Sequence, residues 1–226
     1  MNRVSCIIPA YNEGARIHGV LEVACSHPLL DEVFVVDDGS IDNTREVIKK
    51  FKKARLIEHK KNQGKSKAIR TGILEAKNDI IFLLDADLVG LEPKDITEIV
   101  SPIISDLADV SISMRKNSPW VDRMIGIDFI SGERVFKKVL IEKHLDEVNG
   151  LPRFGFEVFF NRIIIKNRYR IKIIYWRDVV SPWKYKKTGL ISGIKGDLLM
   201  FRDILKVVSF FEVVYQFIQM IRLKVS

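Results

Sequence analysis

Cysteine is scarce in this chain, which has only two in 226 residues. Cys6 and Cys25 lack the paired spacing of metal-binding cysteines, and they fall in a predicted strand and a predicted helix. We interpret both as core thiols of a protein kept in a reducing compartment. An apolar leader is also missing, because Met1-Asn2-Arg3 runs straight into a strand. We therefore expect no secretory signal and a cytoplasmic location.

Repeats and low-complexity linkers are absent as well, and 226 residues fit one large domain or one domain plus an appendage. The hydrophobic fraction of 47% is enough for a sizeable core. A net charge of +8 favours acidic partners such as nucleotides, phosphates or anionic lipids. The lysine-rich segment 49–67 lacks the interleaved aromatics of a single-strand binder, so we expect no nucleic-acid partner.

One short stretch, DIIFLLDAD at residues 79–87, carries the strongest functional signal. Its apolar run has the length and composition of a strand buried on both faces. Asp85 and Asp87 follow it two residues apart, a spacing that points both side chains the same way in an extended chain. Two converging carboxylates repel each other, and a divalent cation is the usual remedy. The alternative is that these residues only end a strand and begin a turn.

Predicted strands alternate with predicted helices, which indicates an α/β fold with a mostly parallel sheet between layers of helices. The strands of the first half are residues 4–8, 32–37, 55–58, 79–84 and 109–114. In the second half we predict helices over 122–129 and 156–167, and extended segments over 131–136 and 169–175. Ligands bind such sheets beyond the carboxyl ends of the strands. Four polar loops lie at those ends, namely residues 9–13, 37–40, 62–65 and 85–87.

These loops carry a family resemblance. The segments Val4–Asn12, Val35–Ser40, Asn62–Lys65 and Leu84–Asp87 resemble, in order, the family 2 glycosyltransferases of the GT-A fold. The second half is more loosely similar to the dolichol-phosphate-mannose-synthase-like branch, through SGER at 131–134 and GFE at 155–157. The resemblance implies transfer of a sugar from a UDP- or GDP-sugar to a polyprenyl phosphate or a glycan, with inversion at the sugar carbon.

The resemblance also implies a set of residues that bind the donor. Tyr11 offers a ring to the nucleotide base, Glu13 an acceptor, and Asp37 or Asp38 a partner for the ring nitrogen of the base. Lys65 stands at a helix start, where free N–H groups and a cation both suit phosphate. The donor-binding residues are predicted to be Pro9, Ala10, Tyr11, Glu13, Asp37, Asp38, Lys65, Asp85 and Ala86.

Asp85 and Asp87 are the predicted ligands of Mg²⁺ or Mn²⁺, which would neutralise charge on the leaving diphosphate. Asp87 and Glu157 are the predicted catalytic residues, with Glu157 as the base for a sugar hydroxyl. The alternative for Glu157 is a helix-start glutamate favoured by the macrodipole. The branch usually has a polar third ligand two residues after the second aspartate, where this chain has Val89.

A phosphate acceptor would need cations rather than a base. The predicted acceptor-binding residues are Arg115, Arg123 and Arg134.

The C-terminal segment has a different pattern, so we predict a catalytic domain over residues 1–195 and an amphipathic helical appendage over 196–226. Residues 198–223 form one broad apolar helix with a single polar stripe. Lys206 and Glu212 argue against a membrane-spanning helix. The remaining interpretations are peripheral contact with the inner face of the cell membrane, a homodimer contact, or packing on the catalytic domain. The basic segment 184–189 would meet lipid head groups or close over the diphosphate.

Three other classes fit less well. Phosphatases with an Asp-x-Asp motif carry it on the first strand, whereas here it follows the fourth. A sugar nucleotidyltransferase would have a Gly-rich, Arg-containing loop where this chain has residues 9–13. A non-catalytic basic module that binds nucleotides or membranes is the last alternative.

Overall fold

The computed structural model describes residues 3–182, 199–200 and 202–225. These residues form one seven-stranded sheet with the strand order β3-β2-β1-β4-β6-β5-β7. Only β6 runs antiparallel to its neighbours, while the other pairs are parallel. The predicted α/β class with a mostly parallel sheet is confirmed. The strands are β1 Val4–Ala10, β2 Leu30–Asp37, β3 Ala54–Glu58, β4 Ile80–Leu83, β5 Val110–Arg115, β6 Arg134–Lys137 and β7 Ile171–Trp176.

Helices cover both faces of the sheet. They are α1 Ile17–Ser26, α2 Thr44–Ile48, α3 Lys65–Glu75, α4 Pro93–Ile104, α5 Trp120–Ile125, α6 Leu145–Asn149, α7 Phe156–Asn167 and α8 Phe210–Arg222. Two apolar cores result, one under α1 and α4 and the other under α3 and α7. Residues of β1 alternate between them, since Cys6 and Ile8 enter the first core and Ile7 the second. The buried, unpaired Cys6 is the core thiol that the sequence predicts.

Strand β1 continues through Pro9, where the sequence predicts that it ends. Ile7 faces β4, because its carbonyl accepts a hydrogen bond from the Leu84 backbone N–H at 3.0 Å. Pro9, two residues on, faces the same side, but the pairing with β4 stops at Leu83. Proline has no backbone N–H to donate to a neighbouring strand, but no hydrogen bond is lost at Pro9 because the pairing with β4 has already ended. Strand β1 stays paired with β2 as far as Ala10.

Helix α3 packs unusually close to β1, because Gly72 has no side chain. A Cβ atom at Gly72 would lie 2.3 Å from Cγ2 of Ile7. This close approach fixes the first turn of α3, with Lys65, near the carboxyl ends of the strands.

The C-terminal segment is not the single helix that the sequence predicts. Residues 202–207 are helical, the helix is interrupted at Val208 and Ser209, and α8 begins at Phe210. The Ser209 side chain caps α8 by accepting a hydrogen bond from the Glu212 N–H. Within the described residues, no helix is both long and apolar enough to cross a bilayer. The predicted boundary near residue 195 and the basic segment 184–189 lie outside the described residues.

Candidate active site

A cavity of about 680 Å³ lies at the edge of the sheet where β1, β2 and β4 end. The start of antiparallel β6, the end of β5 and the first turns of α3 and α7 reach the same edge. Elements that are far apart in sequence therefore supply one set of side chains. Of the predicted site residues, the cavity is lined by Pro9, Ala10, Tyr11, Glu13, Asp38, Lys65, Asp85, Ala86, Asp87, Arg115 and Glu157.

The loop after β1 is held by the loop after β2. The backbone N–H groups of Asn12 and Glu13 each donate at 2.9 Å, to the hydroxyls of Ser40 and Thr44. Asn12 has a φ of 55°, in the left-handed region that asparagine tolerates, and its Oδ1 accepts from the Ile41 N–H at 2.9 Å. These bonds hold Tyr11 half-exposed at the cavity wall.

The two acids after β2 have different surroundings. Asp37 is fully buried, outside the cavity lining, and accepts a hydrogen bond from Arg45 Nε at 2.6 Å. Asp38 lines the cavity and orders the next loop: its Oδ2 accepts from the Gly64 N–H at 2.7 Å and its Oδ1 from the Gln63 N–H at 2.9 Å. Of the two residues predicted to meet the base, only Asp38 lines the cavity.

Lys65 lies between two carboxylates at the centre of the cavity. Its Nζ is 2.7 Å from Oδ1 of Asp85 and 3.1 Å from Oε1 of Glu157. Burial disfavours the charge on Asp85, but Lys65 and then Arg115 outweigh it and hold the pKa of Asp85 at about 2. Gly132 lies against this ion pair, since a Cβ atom there would be 2.5 Å from Nζ of Lys65.

A second charged cluster surrounds Arg115. Its Nη1 is 2.9 Å from Oε1 of Glu133 and 3.7 Å from Oδ2 of Asp85, and its Nη2 is 3.7 Å from Oδ2 of Asp128. Burial opposes the charge on Arg115, but Glu133 and then Asp128 outweigh it and raise its pKa. Burial raises the pKa of Glu133, with Arg115 opposing the shift. Arg115 thus has structural partners in the site where the sequence predicts an acceptor contact.

Asp87 lines the cavity and accepts a hydrogen bond from the Ser181 hydroxyl at 3.1 Å. Among the described residues, no group of three or more His, Cys, Asp or Glu side chains is placed to hold a metal ion. Two carboxylates nevertheless fit a magnesium-type cation, which takes one or two from the protein and the rest of its ligands from phosphates and water. Val89 adds no polar side chain, as the sequence indicates, and its backbone pairs with Val180.

Arg123 and Arg134 do not line the cavity. Arg123 is exposed on α5. Arg134 has no exposed surface and donates to the carbonyls of Ser131 and Phe129 and to Oδ1 of Asn161, at 2.7–2.8 Å. Burial lowers its pKa to about 10. The prediction that Arg134 contacts the acceptor is therefore corrected, because β6 is an inner strand of the sheet and its first residue is enclosed.

The cavity also contains residues that the sequence analysis missed. Arg153 lines it with an exposed side chain, and within the described residues no carboxylate pairs with that side chain. The apolar part of the wall comes from Ile130, Val158, Met200 and Ile204, which pack in one cluster. Arg153 is four residues before Glu157, so only the proximity to GFE could have pointed to it.

A parallel sheet with acidic loops at the carboxyl ends of its strands, around one large cavity, is typical of nucleotide-sugar transferases with the GT-A fold. The comparisons with known proteins agree. The family model described as Glycosyl transferase family 2 matches residues 5–162. The chain belongs to glycosyltransferase family 2, and it is an enzyme of the glycosyltransferase class.

Relatives and solved structures support this assignment. The chain is 31% identical, over 84% of its length and 91% of the relative's, to UDP-N-acetylglucosamine–dolichyl-phosphate N-acetylglucosaminyltransferase of Methanococcus voltae. It is 32% identical, over 50% of its length and 36% of the relative's, to dodecaprenyl-phosphate galacturonate synthase of Rhizobium johnstonii. A structure of glucosyl-3-phosphoglycerate synthase from Mycobacterium tuberculosis, with Mn²⁺, UDP-glucose and phosphoglyceric acid, superposes with a TM-score of 0.71. That match covers 96% of this chain and 80% of the other at 18% identity, and it shows the shared fold.

Proposed function

We propose that the enzyme transfers a sugar from a UDP-sugar to a polyprenyl phosphate, with a divalent cation and with inversion at the sugar carbon. The observation that carries the proposal is the two-part cavity. One part contains the charged groups of Lys65, Asp85 and Arg115, and the other is the apolar cluster that includes Val158 and Ile204. A charged head group attached to an apolar chain suits both parts. The name of the Methanococcus voltae relative combines the same two substrate classes.

The donor would bind along the loops after β1 and β2. Tyr11, at the cavity wall, would stack on the base, and Asp38 would accept a hydrogen bond from it. The diphosphate would lie toward Lys65, at the start of α3, where backbone N–H groups and the ammonium both favour anions. A divalent cation held by Asp85 and Asp87 would supply Lewis-acid stabilisation of the leaving diphosphate.

The acceptor side needs little proton chemistry. A phosphate oxygen is already negatively charged, so no protein base has to remove a proton before it attacks the sugar carbon. Glu157 can then remain paired with Lys65, as the structure has it. Arg153 offers a guanidinium for the acceptor phosphate at the cavity wall.

Calorimetry tests the donor and the metal. UDP-, GDP- and dTDP-sugars are titrated into the protein with Mg²⁺ or Mn²⁺, and again with EDTA. We expect UDP-sugar binding that needs the metal and is lost in Asp87→Asn. Asp79→Asn is the matched control, because Asp79 is exposed at the opposite end of β4. Unchanged donor binding in Asp87→Asn, or in EDTA, would contradict the metal assignment.

A transfer assay tests the acceptor. With a labelled UDP-sugar, we expect label in the lipid fraction when polyprenyl phosphate is supplied, and none in soluble oligosaccharides. The anomeric configuration of the product, read by NMR, checks inversion. Transfer to an oligosaccharide alone would replace the lipid acceptor with a glycan.

A further inference from the structure

Helix α8 presents its apolar side to the solvent. Its outward side chains, which we call the apolar face, are Phe210, Phe211, Val214, Tyr215 and Ile218. Phe211 is 83% exposed, whereas the polar Gln216 on the opposite side is only 1% exposed. A helix packed on the surface of a soluble protein normally buries its apolar side and exposes its polar side. Contiguous exposed apolar surface of this kind marks a contact site.

Buried hydrogen bonds fix this orientation of α8. Gln216 Nε2 donates to the Val158 carbonyl at 3.0 Å, and its Oε1 accepts from Asn161 Nδ2 at 3.3 Å. Glu212 forms an ion pair with Arg162 on α7. Rotating the helix to bury the apolar face would leave these polar groups without partners. The outward apolar face is therefore a specified feature of the fold.

The C-terminal end of α8 adjoins α5, whose exposed side chains include Trp120 and Met124. Lys224 Nζ, just after α8, donates to the carbonyl of Gly126, just after α5, at 2.9 Å. The rings of Phe129 and Phe217 make an edge contact at 5.6 Å. These contacts bring the C-terminal ends of α5 and α8 together.

Charge indicates what the apolar face meets. The exposed cations Arg202, Lys206 and Arg222 lie on α8 or on the helical residues just before it. The same segments contain two acidic residues: Glu212 is ion-paired with Arg162, and the buried Asp203 lies 3.8 Å from both Arg202 and Lys206, which leaves a net positive charge. An anionic lipid surface complements apolar side chains bordered by cations. A symmetric pairing of two copies would instead place like charges against each other.

The apolar face is also continuous in sequence with the cavity. Ile204, on residues 202–207, belongs to the apolar wall of the cavity, and α8 begins six residues later. We propose that the apolar face of α8 docks in the plane of an anionic membrane, so that a lipid acceptor enters the cavity along the Ile204 wall. This inference rests on the proposed lipid acceptor.

Vesicle flotation with the full chain tests the docking. We expect binding to vesicles of phosphatidylcholine with phosphatidylglycerol, weaker binding to phosphatidylcholine alone, and a decrease with salt. The double variant Phe211→Gln/Ile218→Gln should lower the vesicle partition coefficient by at least about tenfold, because two apolar side chains no longer enter the lipid. The control is Leu74→Gln, since Leu74 is half-exposed on α3. An equal loss in the control, or no loss in the double variant, would overturn the proposal.

Two further readouts separate the alternatives. Light scattering without vesicles measures the mass of the protein in solution. We expect no dimer in the wild type that is lost in the double variant. Such a dimer, together with no vesicle binding, would identify a second copy as the partner and overturn the proposal. UDP-sugar binding measured by calorimetry should be the same in the wild type and the double variant. If the wild type binds the donor but not the vesicles, the docking fails alone, whereas vesicle binding without donor binding refutes the proposed function.

Discussion

The ion pairs of Lys65 allow a sharp test of how the centre of the site is held together. In Lys65→Met the helix propensity at the start of α3 barely changes, but Asp85 and Glu157 lose a cation at 2.7 and 3.1 Å. At an effective dielectric constant of about 20, each contact is worth roughly 5–6 kcal/mol of Coulomb energy before desolvation is counted. Breaking a buried pair by removing one partner costs about 3–5 kcal/mol in stability, and we expect a loss near the lower end of this range because the Lys65 and Asp85 side chains are 21% and 20% exposed.

The loss should depend on pH with a defined sign. In the wild type the pKa of Asp85 lies near 2, below its usual 3.8, so its stabilising contribution is complete above pH 3.8 and is lost as the pH falls toward 2. Without Lys65, burial is opposed at Asp85 mainly by Arg115, so we expect the pKa of Asp85 to rise and Asp85 to take up a proton as the pH falls. The native variant then binds more protons than its unfolded chain, so its stability should fall as the pH rises from 5 to 7.

Urea unfolding at pH 5 and pH 7 measures both effects. Lys67→Met is the matched control, because Lys67 lies on the same helix outside the cavity and is expected to change stability by less than about 0.5 kcal/mol. A Lys65→Met loss as small as that of the control would refute the electrostatic argument. So would a loss that is equal at the two pH values.

Two further predictions concern neighbouring positions. Burial, and then the charge of Asp128, raises the pKa of Asp122 to about 7, so the native state keeps a proton that the unfolded chain loses above 3.8, and stability falls between these pH values. Asp122→Asn should therefore stabilise the protein by on the order of 1–2 kcal/mol at pH 8 and by less at pH 5, as thermal unfolding would show; an equal effect at both would contradict this. Gly132→Ala would place a Cβ atom 2.5 Å from Nζ of Lys65 and 2.7 Å from Oδ1 of Asp85. Both side chains must move, and we expect kcat/KM to fall roughly 10- to 100-fold with little change in melting temperature; unchanged kinetics would show that their positions do not matter.

The parallel half of the sheet could be predicted from the sequence because its signals are local. The apolar run before Asp85 has the length of a strand buried on both faces, and β4 is buried at all four residues. Polar loops after successive parallel strands must meet at one edge, and the loops after β1, β2 and β4 do line one cavity. Strand direction and strand ends are sufficient for that inference.

The position of Arg134 could not be predicted, because it depends on the order of strands. An arginine at the start of an isolated strand is expected to reach solvent. Here β6 is inserted between β4 and β5 in the opposite direction, and Arg134 pairs with Leu83 and Ile112 in the two ladders. Nothing in the sequence near Arg134 specifies that insertion.

The orientation of α8 could not be predicted from the sequence either. Amphipathic spacing defines two faces of a helix, but it does not say which one faces the protein. The choice is made by partners about 55 residues away in the chain, since Gln216 bonds to Asn161 on α7. The sequence predicts a broad apolar surface with one polar stripe, while the exposure of the apolar face follows from the tertiary structure.

The balance of charge in the cavity links the site to its proposed cation. Among the described residues, its lining and the groups ion-paired with it contain seven carboxylates and, beside His59, four cations; the acids are Glu13, Asp38, Asp85, Asp87, Asp128, Glu133 and Glu157, and the cations are Arg16, Lys65, Arg115 and Arg153. A nucleoside diphosphate adds about two negative charges, and Lys65 and Arg115 are already committed to carboxylates. Protonation of Glu133, whose pKa is raised by burial, removes one negative charge but does not balance the site. A divalent cation held by Asp85 and Asp87 would offset two of the remaining negative charges, so we expect donor binding to be weak without it.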